Sequence, residues 1–126
     1  MRLLLDTVTF LWATSSPAQL SRRAMAALRS GSAVREISAI SQVEIAFKSA
    51  RGKLTFGQDE LNAGITALRL RVLPYTTAHA LGLFHLPMLH GDPFDRQIIS
   101  QALAENIPVV TPDKSFKLYK GLEVIW

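Results

Sequence analysis

HGDPFDRQIISQALAENIPVVTPDKSF, residues 90–116, carries the clearest fold signal in this chain. Its Asp92-Pro93 pair predicts the start of a helix that runs to about Glu105, because proline is best tolerated at the first helical position. The apolar run 107–110 then predicts a short buried strand, and residues 112–118 predict a turn or short helix. A helix that leads directly into a buried strand is typical of a parallel β-α unit.

Short apolar runs and longer amphipathic segments alternate through the rest of the chain. The short runs predict further strands at 2–5, 34–39, 72–73 and 123–126. The longer segments predict helices at about 7–13, 18–30, 41–50, 58–69 and 77–84. Ser41-x-x-Glu44 is typical of a capping box that opens the third of these helices. The alternation predicts an α/β fold, a three-layer α/β/α sandwich with a mainly parallel central sheet.

Length and composition predict one ordinary globular domain over residues 1–126. The chain has no cysteine, which excludes a thiolate zinc site and a disulfide framework and fits a reducing cytoplasm. Asp6 interrupts the first apolar run, so we expect no signal peptide. No run approaches the roughly 18 apolar residues of a membrane span. We therefore expect a soluble cytoplasmic protein that does not enter the membrane, and its net charge of +4 is compatible with a polyanionic partner.

The positions of the acidic residues are more informative than the net charge. Of ten Asp and Glu residues, five come just after a predicted strand or in the first turn of a predicted helix: Asp6, Glu44, Asp92, Asp95 and Asp113. Each of the five alone has a simple explanation as a helix cap or first-turn acid, since a carboxylate there stabilises a helix by about 0.3–1 kcal/mol.

Taken as a set, the five acids predict a metal site. The carboxyl ends of parallel strands meet at one edge of the sheet, so these side chains should share a small region. Their mutual repulsion would raise their pKa values unless a cation lay among them. Carboxylate oxygens suit Mg²⁺, or possible substitutes such as Mn²⁺. The three histidines, His79, His85 and His90, lack paired zinc-ligand spacing, and His90 is the one expected nearest the site.

A carboxylate-held Mg²⁺ points to phosphodiester chemistry. The ion can activate a bound water, bind the non-bridging oxygens and stabilise the leaving oxygen, and a second ion about 3.5–4 Å away would share these tasks. Basic residues such as Lys114 could hold flanking phosphates, although a solvated surface is the simpler interpretation for most of them. Lys48 lies four residues after Glu44, a spacing that favours an ion pair along the helix.

Four segments resemble the PIN-domain toxins of the VapC type, and they occur in the same order over nearly the whole chain. They are LLLDTVTFLW, SAISQVEIAFKSARGKL, LPMLHGDPFDRQIISQALAENIPVVTPDKSF and the terminal VIW. The resemblance implies a PIN-like fold and an endoribonuclease whose acidic quartet, Asp6, Glu44, Asp95 and Asp113, binds Mg²⁺ for RNA cleavage. Val8 and Val43 depart from the histidine and tryptophan that the family often has, and neither change removes an acid.

The resemblance also implies a role for each residue near the quartet. Asp6 and Asp95 are expected to be direct ligands, Glu44 a direct or water-mediated ligand, and Asp113 a ligand of a second ion. Asp92 would be a supporting fifth acid. The expected supporting residues are Thr111 for a water or phosphate and Arg96 for orienting Asp95. Independently of the resemblance, Arg96 and Lys114 are basic residues that could bind the phosphates of a substrate. The family further implies a homodimer and a cognate antitoxin that covers the active site.

Three alternatives explain fewer of the residues. A receiver-type phosphoacceptor domain expects paired acids after the first strand, and a haloacid-dehalogenase-type phosphatase expects Asp-x-Asp. Asp6-Thr7-Val8 satisfies neither pattern. The third alternative is a PIN-like module that binds RNA or protein without cutting. Loss of an acid would be its mark, and all four members of the quartet are present.

Overall fold

A five-stranded sheet lies at the centre of the computed structural model, which describes residues 1–126. All four strand pairs are parallel, so the predicted, mainly parallel sheet is in fact wholly parallel. The spatial order is β3-β2-β1-β4-β5, which puts β1 in the middle. The strands are β1 (Arg2–Leu5), β2 (Val34–Ser38), β3 (Arg71–Leu73), β4 (Val109–Val110) and β5 (Val124–Ile125).

Six α-helices connect the strands, together with three short 3₁₀ helices. The α-helices are α1 (Thr7–Ser15), α2 (Arg22–Arg29), α3 (Ala39–Ala50), α4 (Gln58–Ala67), α5 (Thr77–Gly82) and α6 (Pro93–Glu105). The 3₁₀ helices are Pro17–Gln19, Leu83–His85 and Lys114–Leu118. None of the helices combines the length and the apolar character needed to cross a bilayer.

The alternation of side chains along the strands divides the core between the two faces of the sheet. On one face, Leu4 and its register partner Val109 pack with Ile98 and Ile99 of α6. On the other face, two smaller clusters form beneath α1, α2, α3 and α4: Leu3, Ala24, Val110 and Ile125 in one, and Phe10, Ile37, Ile45 and Leu61 in the other. Helices therefore cover both faces, which confirms the predicted three-layer sandwich.

The predicted start of α3 is wrong. The helix begins at Ala39, and its cap is Ser38, whose hydroxyl accepts a hydrogen bond from the Ile40 amide at 2.9 Å. Ser41 and Glu44 therefore do not form a capping box. They lie inside the helix with buried side chains, which makes them part of the interior of the protein.

The predicted helix over 18–30 is shorter in the structure. Ser21 caps α2 by accepting from the Ala24 amide at 3.0 Å, and the residues before it form the separate 3₁₀ helix. The strand predicted over 107–110 is also shorter. The Ile107 amide still bonds to the Ala102 carbonyl of α6, and Pro108 has no N–H to give to the sheet.

Candidate active site

The strand order places a ligand-binding crevice beside β1. The chain leaves β1 towards β2 on one side and β4 pairs with β1 on the other, so the order reverses at this point. Ligands of parallel α/β sheets bind at such a reversal, outside the carboxyl ends of the strands. Asp6 follows the last residue of β1, and Thr111 follows the last residue of β4.

Thr111 joins the ends of β1 and β4. Its hydroxyl donates to Asp6 Oδ2 at 2.6 Å and accepts from the Asp113 amide at 3.0 Å. The other Asp6 oxygen, Oδ1, accepts from the Thr9 amide at 2.9 Å and so caps α1. A hydroxyl has one hydrogen to donate, and Thr111 donates it to Asp6. Thr111 thus links the Asp6 carboxylate to the backbone of Asp113, and its expected contact with a water or phosphate stays a prediction.

Glu44 is held on both of its oxygens. Oε1 lies 2.6 Å from the Thr7 hydroxyl, and Oε2 lies 2.5 Å from the Lys48 ammonium. The Thr7 hydroxyl is also 2.9 Å from the Ser41 hydroxyl. Glu44 is only 4% exposed, so these partners compensate a buried charge.

Asp95 is the acid with the fewest partners. Asp92 caps α6 by accepting from the Asp95 amide at 2.9 Å, but that bond uses the backbone of Asp95 and leaves its carboxylate free. The nearest polar partner of the carboxylate is His90 Nε2, at 3.4 Å from Asp95 Oδ2. His90 Nε2 is itself buried and makes no hydrogen bond. The expectation that His90 is the histidine nearest the site is confirmed.

Burial and like charge raise the pKa values of two of the acids. Burial raises the pKa of Asp6 to about 6, even though hydrogen bonds from Thr111 and Thr9 oppose the shift. Burial also raises the pKa of Asp95 to about 8, and the negative charges of the other four acids add to this effect. All five predicted acids lie in one region at the carboxyl edge of the sheet. The charges of the other four are close enough to Asp95 to raise its pKa.

The donor set fits Mg²⁺ chemistry better than that of other metals. It offers carboxylate oxygens and no thiolate, which is the preference of a hard cation. As the side chains stand, no three His, Asp or Glu residues are arranged to hold one ion. Mg²⁺ does not require three protein ligands, since it keeps several waters and is commonly bound through one or two carboxylates. The weakly partnered Asp95 carboxylate is the clearest candidate for such a ligand.

Arg96 does not contact the acids directly. Its guanidinium is buried and donates to the carbonyls of Leu86 and Pro87 and to the Tyr119 hydroxyl at 3.1 Å. The Tyr119 hydroxyl lies 2.6 Å from His90 Nδ1. Arg96 therefore reaches Asp95 only through Tyr119 and His90, and substrate contact would require it to give up these bonds. Lys114, by contrast, is exposed next to Asp113.

Sequence reasoning missed the hydroxyl groups that hold the acids. The buried Thr7 hydroxyl contacts Glu44 and the buried Ser41 hydroxyl. Thr9 holds Asp6 through its backbone amide, while its hydroxyl donates to the Val110 carbonyl. The only signal for Thr7 and Thr9 was their position just after Asp6 at the start of a helix. Tyr119 carried no signal, because its contacts with His90 and Arg96 depend on the packing of distant segments.

The sequence profile of the PIN domain family matches residues 3–122 of the chain. No curated protein matches the chain.

Several solved structures share the fold at low sequence identity. VapBC2 from Rickettsia felis, solved with a DNA fragment from the VapBC2 promoter, aligns with a TM-score of 0.76 and 20% identity. The alignment covers 98% of this chain and 97% of the other. The DNA-bound VapBC from Salmonella typhimurium gives a TM-score of 0.69 and 19% identity, over 98% and 96%. A toxin–antitoxin complex from Klebsiella pneumoniae gives a TM-score of 0.65 and 18% identity, over 95% and 94%.

Proposed function

This chain belongs to the PIN domain family, and from that premise we propose that it is a Mg²⁺-dependent endoribonuclease, the toxin of a VapBC-type toxin–antitoxin pair. The observation that carries the proposal is the gathering of five carboxylates around Asp95 at the reversal point of the sheet. Carboxylates packed this closely repel one another and destabilise the fold unless a cation binds among them. Helix capping alone therefore accounts poorly for the presence of all five.

In this proposal Asp6 and Asp95 bind the ion directly, with Glu44 and Asp113 beside them and Asp92 in support. Mn²⁺ is expected to substitute for Mg²⁺ because it accepts the same oxygen ligands. The ion would supply a water of lowered pKa and would neutralise charge on the phosphate oxygens during cleavage of an RNA phosphodiester.

The other residues of the site hold the acids and the substrate. Thr111 keeps Asp6 and Asp113 at a fixed separation, and Thr7 fixes the orientation of Glu44. Lys114 is free to hold a phosphate of the RNA beside Asp113. Arg96 supports Asp95 through Tyr119 and His90, which we prefer to a direct role in substrate binding.

The proposed partners are a cognate antitoxin and a second copy of the chain. The first is supported by the fold shared with proteins solved as toxin–antitoxin complexes. Val43 and Phe47 of α3, one on either side of Glu44 in sequence, are about half exposed and could provide apolar contacts for a protein that covers the site. The homodimer rests on the family resemblance alone. Cellular RNA as substrate implies action in the cytoplasm.

The test is RNA cleavage by the purified chain, free of antitoxin. Structured RNA should be cut with Mg²⁺ present and left intact with EDTA. Asp6→Asn and Asp95→Asn should each abolish cleavage, because they remove a ligand charge while keeping the side-chain shape. Asp59→Asn, on the exposed face of α4, is the matched control and should cut like the wild type.

Persistent cutting by both site variants would refute the assigned site. RNA binding without any cleavage by the wild type, at any Mg²⁺ or Mn²⁺ concentration, would favour the non-catalytic PIN-like module instead.

A further inference from the structure

Lys48 is the only lysine or arginine that forms an ion pair with one of the five acids. Its ammonium lies 2.5 Å from Glu44 Oε2. The side chain is still 42% exposed, so it reaches into the acidic region from the surface of α3. The spacing of four residues explains why these two partners can meet on a helix, but it does not explain what else the ammonium faces.

The ammonium also faces acids from another helix. The hydrogen bond that Lys48 donates to Glu44 has the largest effect in raising the pKa of Lys48, and the charges of Asp92 and Asp95 raise it further. Asp92 and Asp95 belong to the start of α6, which packs against α3. Lys48 thus adds positive charge where two helices bring three carboxylates together.

Glu44 is fixed in an orientation that favours this arrangement. Thr7 contacts Oε1 and Lys48 contacts Oε2, so both oxygens of Glu44 already have partners within the protein. An ion that used Glu44 as a direct ligand would have to compete with the ammonium for Oε2. The carboxylate of Asp95 meets no such competition, because its nearest partner is His90 Nε2 at 3.4 Å.

We propose that the Lys48 ammonium holds the position of a second cation, so that the pocket takes one divalent ion instead of two. This inference rests on the proposed metal-dependent function. A two-metal site needs carboxylates shared between ions about 3.5–4 Å apart. A lysine charge fixed beside Glu44 repels a second divalent ion at that short range. It also offsets part of the repulsion among the acids before any ion binds.

The test counts bound Mn²⁺ by titration with electron paramagnetic resonance detection of the free ion, which needs no RNA and no cleavage. The wild type should bind one Mn²⁺ per chain. Lys48→Met keeps the length of the side chain and removes its charge, and it should bind two. Lys48→Arg keeps the charge and should remain at one. Lys53→Met, an exposed lysine after α3, is the matched control and should also bind one.

Circular dichroism would establish that each variant is folded, and Lys48→Gln would replace Lys48→Met if the latter failed to fold. One ion in the charge-removing variant with unchanged affinity, two ions in the wild type, or two in Lys48→Arg would each overturn the inference and leave the proposed function standing. A wild type that binds no Mn²⁺ would overturn the proposed function, and the inference with it.

Discussion

The acids at the two edges of the sheet differ in how many basic partners they have. Near the amino-terminal edge, Glu36 is completely buried and accepts hydrogen bonds from Arg2 at 2.8 and 3.1 Å and from Arg71 at 3.1 Å. Glu105 at the end of α6 accepts from Arg2 at 3.1 Å and lies 3.0 Å from His79. Hydrogen bonds from His79 and then Arg2 lower the pKa of Glu105. Every acid in this network has a basic partner.

At the carboxyl-terminal edge five acids share one lysine. There the pKa values of Asp6 and Asp95 rise to about 6 and about 8, because burial disfavours their charge and few basic groups compensate. The acids of the first edge stabilise the fold, whereas Asp6 and Asp95 at the second edge destabilise it in their charged form. The contrast teaches that the network around Glu36 is complete as it stands, and that the acids around Asp95 are suited to receive a cation.

The largest effect on stability is expected from breaking the amino-terminal network. Arg2→Met leaves the buried Glu36 charge with Arg71 alone, and removing one partner of a buried pair costs roughly 3–5 kcal/mol. Because Arg2 is partly exposed, we expect about 3 kcal/mol, measured as the free energy of unfolding in urea. Arg23→Met, on an exposed face of α2, should change it little. Equal stability of the two variants would contradict a structural role for the network.

A divalent cation should stabilise the protein by binding at the carboxyl-terminal edge and not at the amino-terminal edge. At pH 8 the melting temperature should increase with added Mg²⁺ or Mn²⁺, since a ligand at about 100 times its Kd stabilises the folded state by about 2.7 kcal/mol. Asp95→Asn should lose this increase, and Arg2→Met should keep it despite its lower starting stability. Differential scanning fluorimetry over a range of metal concentrations would measure the shifts. An equal shift in Asp95→Asn would place the ion elsewhere.

Asp95→Asn should stabilise the protein when EDTA is present. The raised pKa of Asp95 means that the folded state binds the proton more tightly than the unfolded state. The contribution of Asp6 and Asp95 to wild-type stability should therefore be most favourable below about pH 4 and should fall as the pH rises through about 6 and about 8, the pKa values of Asp6 and Asp95. Each pKa unit corresponds to about 1.4 kcal/mol, and we expect at least this gain at pH 9.

Urea unfolding of the wild type and Asp95→Asn at pH 4.5 and pH 9 would measure the difference. A variant that is less stable than the wild type at pH 9 would show that the carboxylate has a stabilising partner after all.

The smallest effect is expected at Glu105. Its lowered pKa gives a stabilisation that is present at neutral pH and is lost as the pH falls below its ordinary value of 4.5. Glu105 is partly exposed to solvent, so Glu105→Gln should reduce stability at pH 7 by less than about 1 kcal/mol and have almost no effect at pH 3. Glu123→Gln, an exposed glutamate outside the network, should show neither change.

The convergence of the five acids could be predicted from the sequence because their positions follow from local rules. Pro93 at the first helical position defines the start of α6, and Asp6 directly follows an apolar strand. In a parallel sheet those local facts imply convergence at one edge. The start of α3 was wrong because Ser38 and Ser41 are both good caps. Only the burial of Ser41 beside Thr7 decides between them.

The amino-terminal network could not be predicted from the sequence. Arg71 meets Glu36 because β3 pairs with β2 in one particular register, in which these two residues are opposite each other. A shift of β3 by one residue would put Arg71 on the opposite face of the sheet from Glu36. Such contacts depend on strand pairing over 35 residues of separation, which local patterns do not encode.

The hydrogen bond from Thr111 to Asp6 spans 105 positions of the chain and has a consequence for biosynthesis. While the protein is being made, Asp6 and Glu44 emerge long before β4, and until β4 pairs with β1 they have neither Thr111 nor Asp113 beside them. The acidic pocket therefore cannot assemble before β4 has paired with β1. Under the proposed function, a nascent chain would therefore remain inactive towards RNA until β4 has been synthesised and has paired with β1.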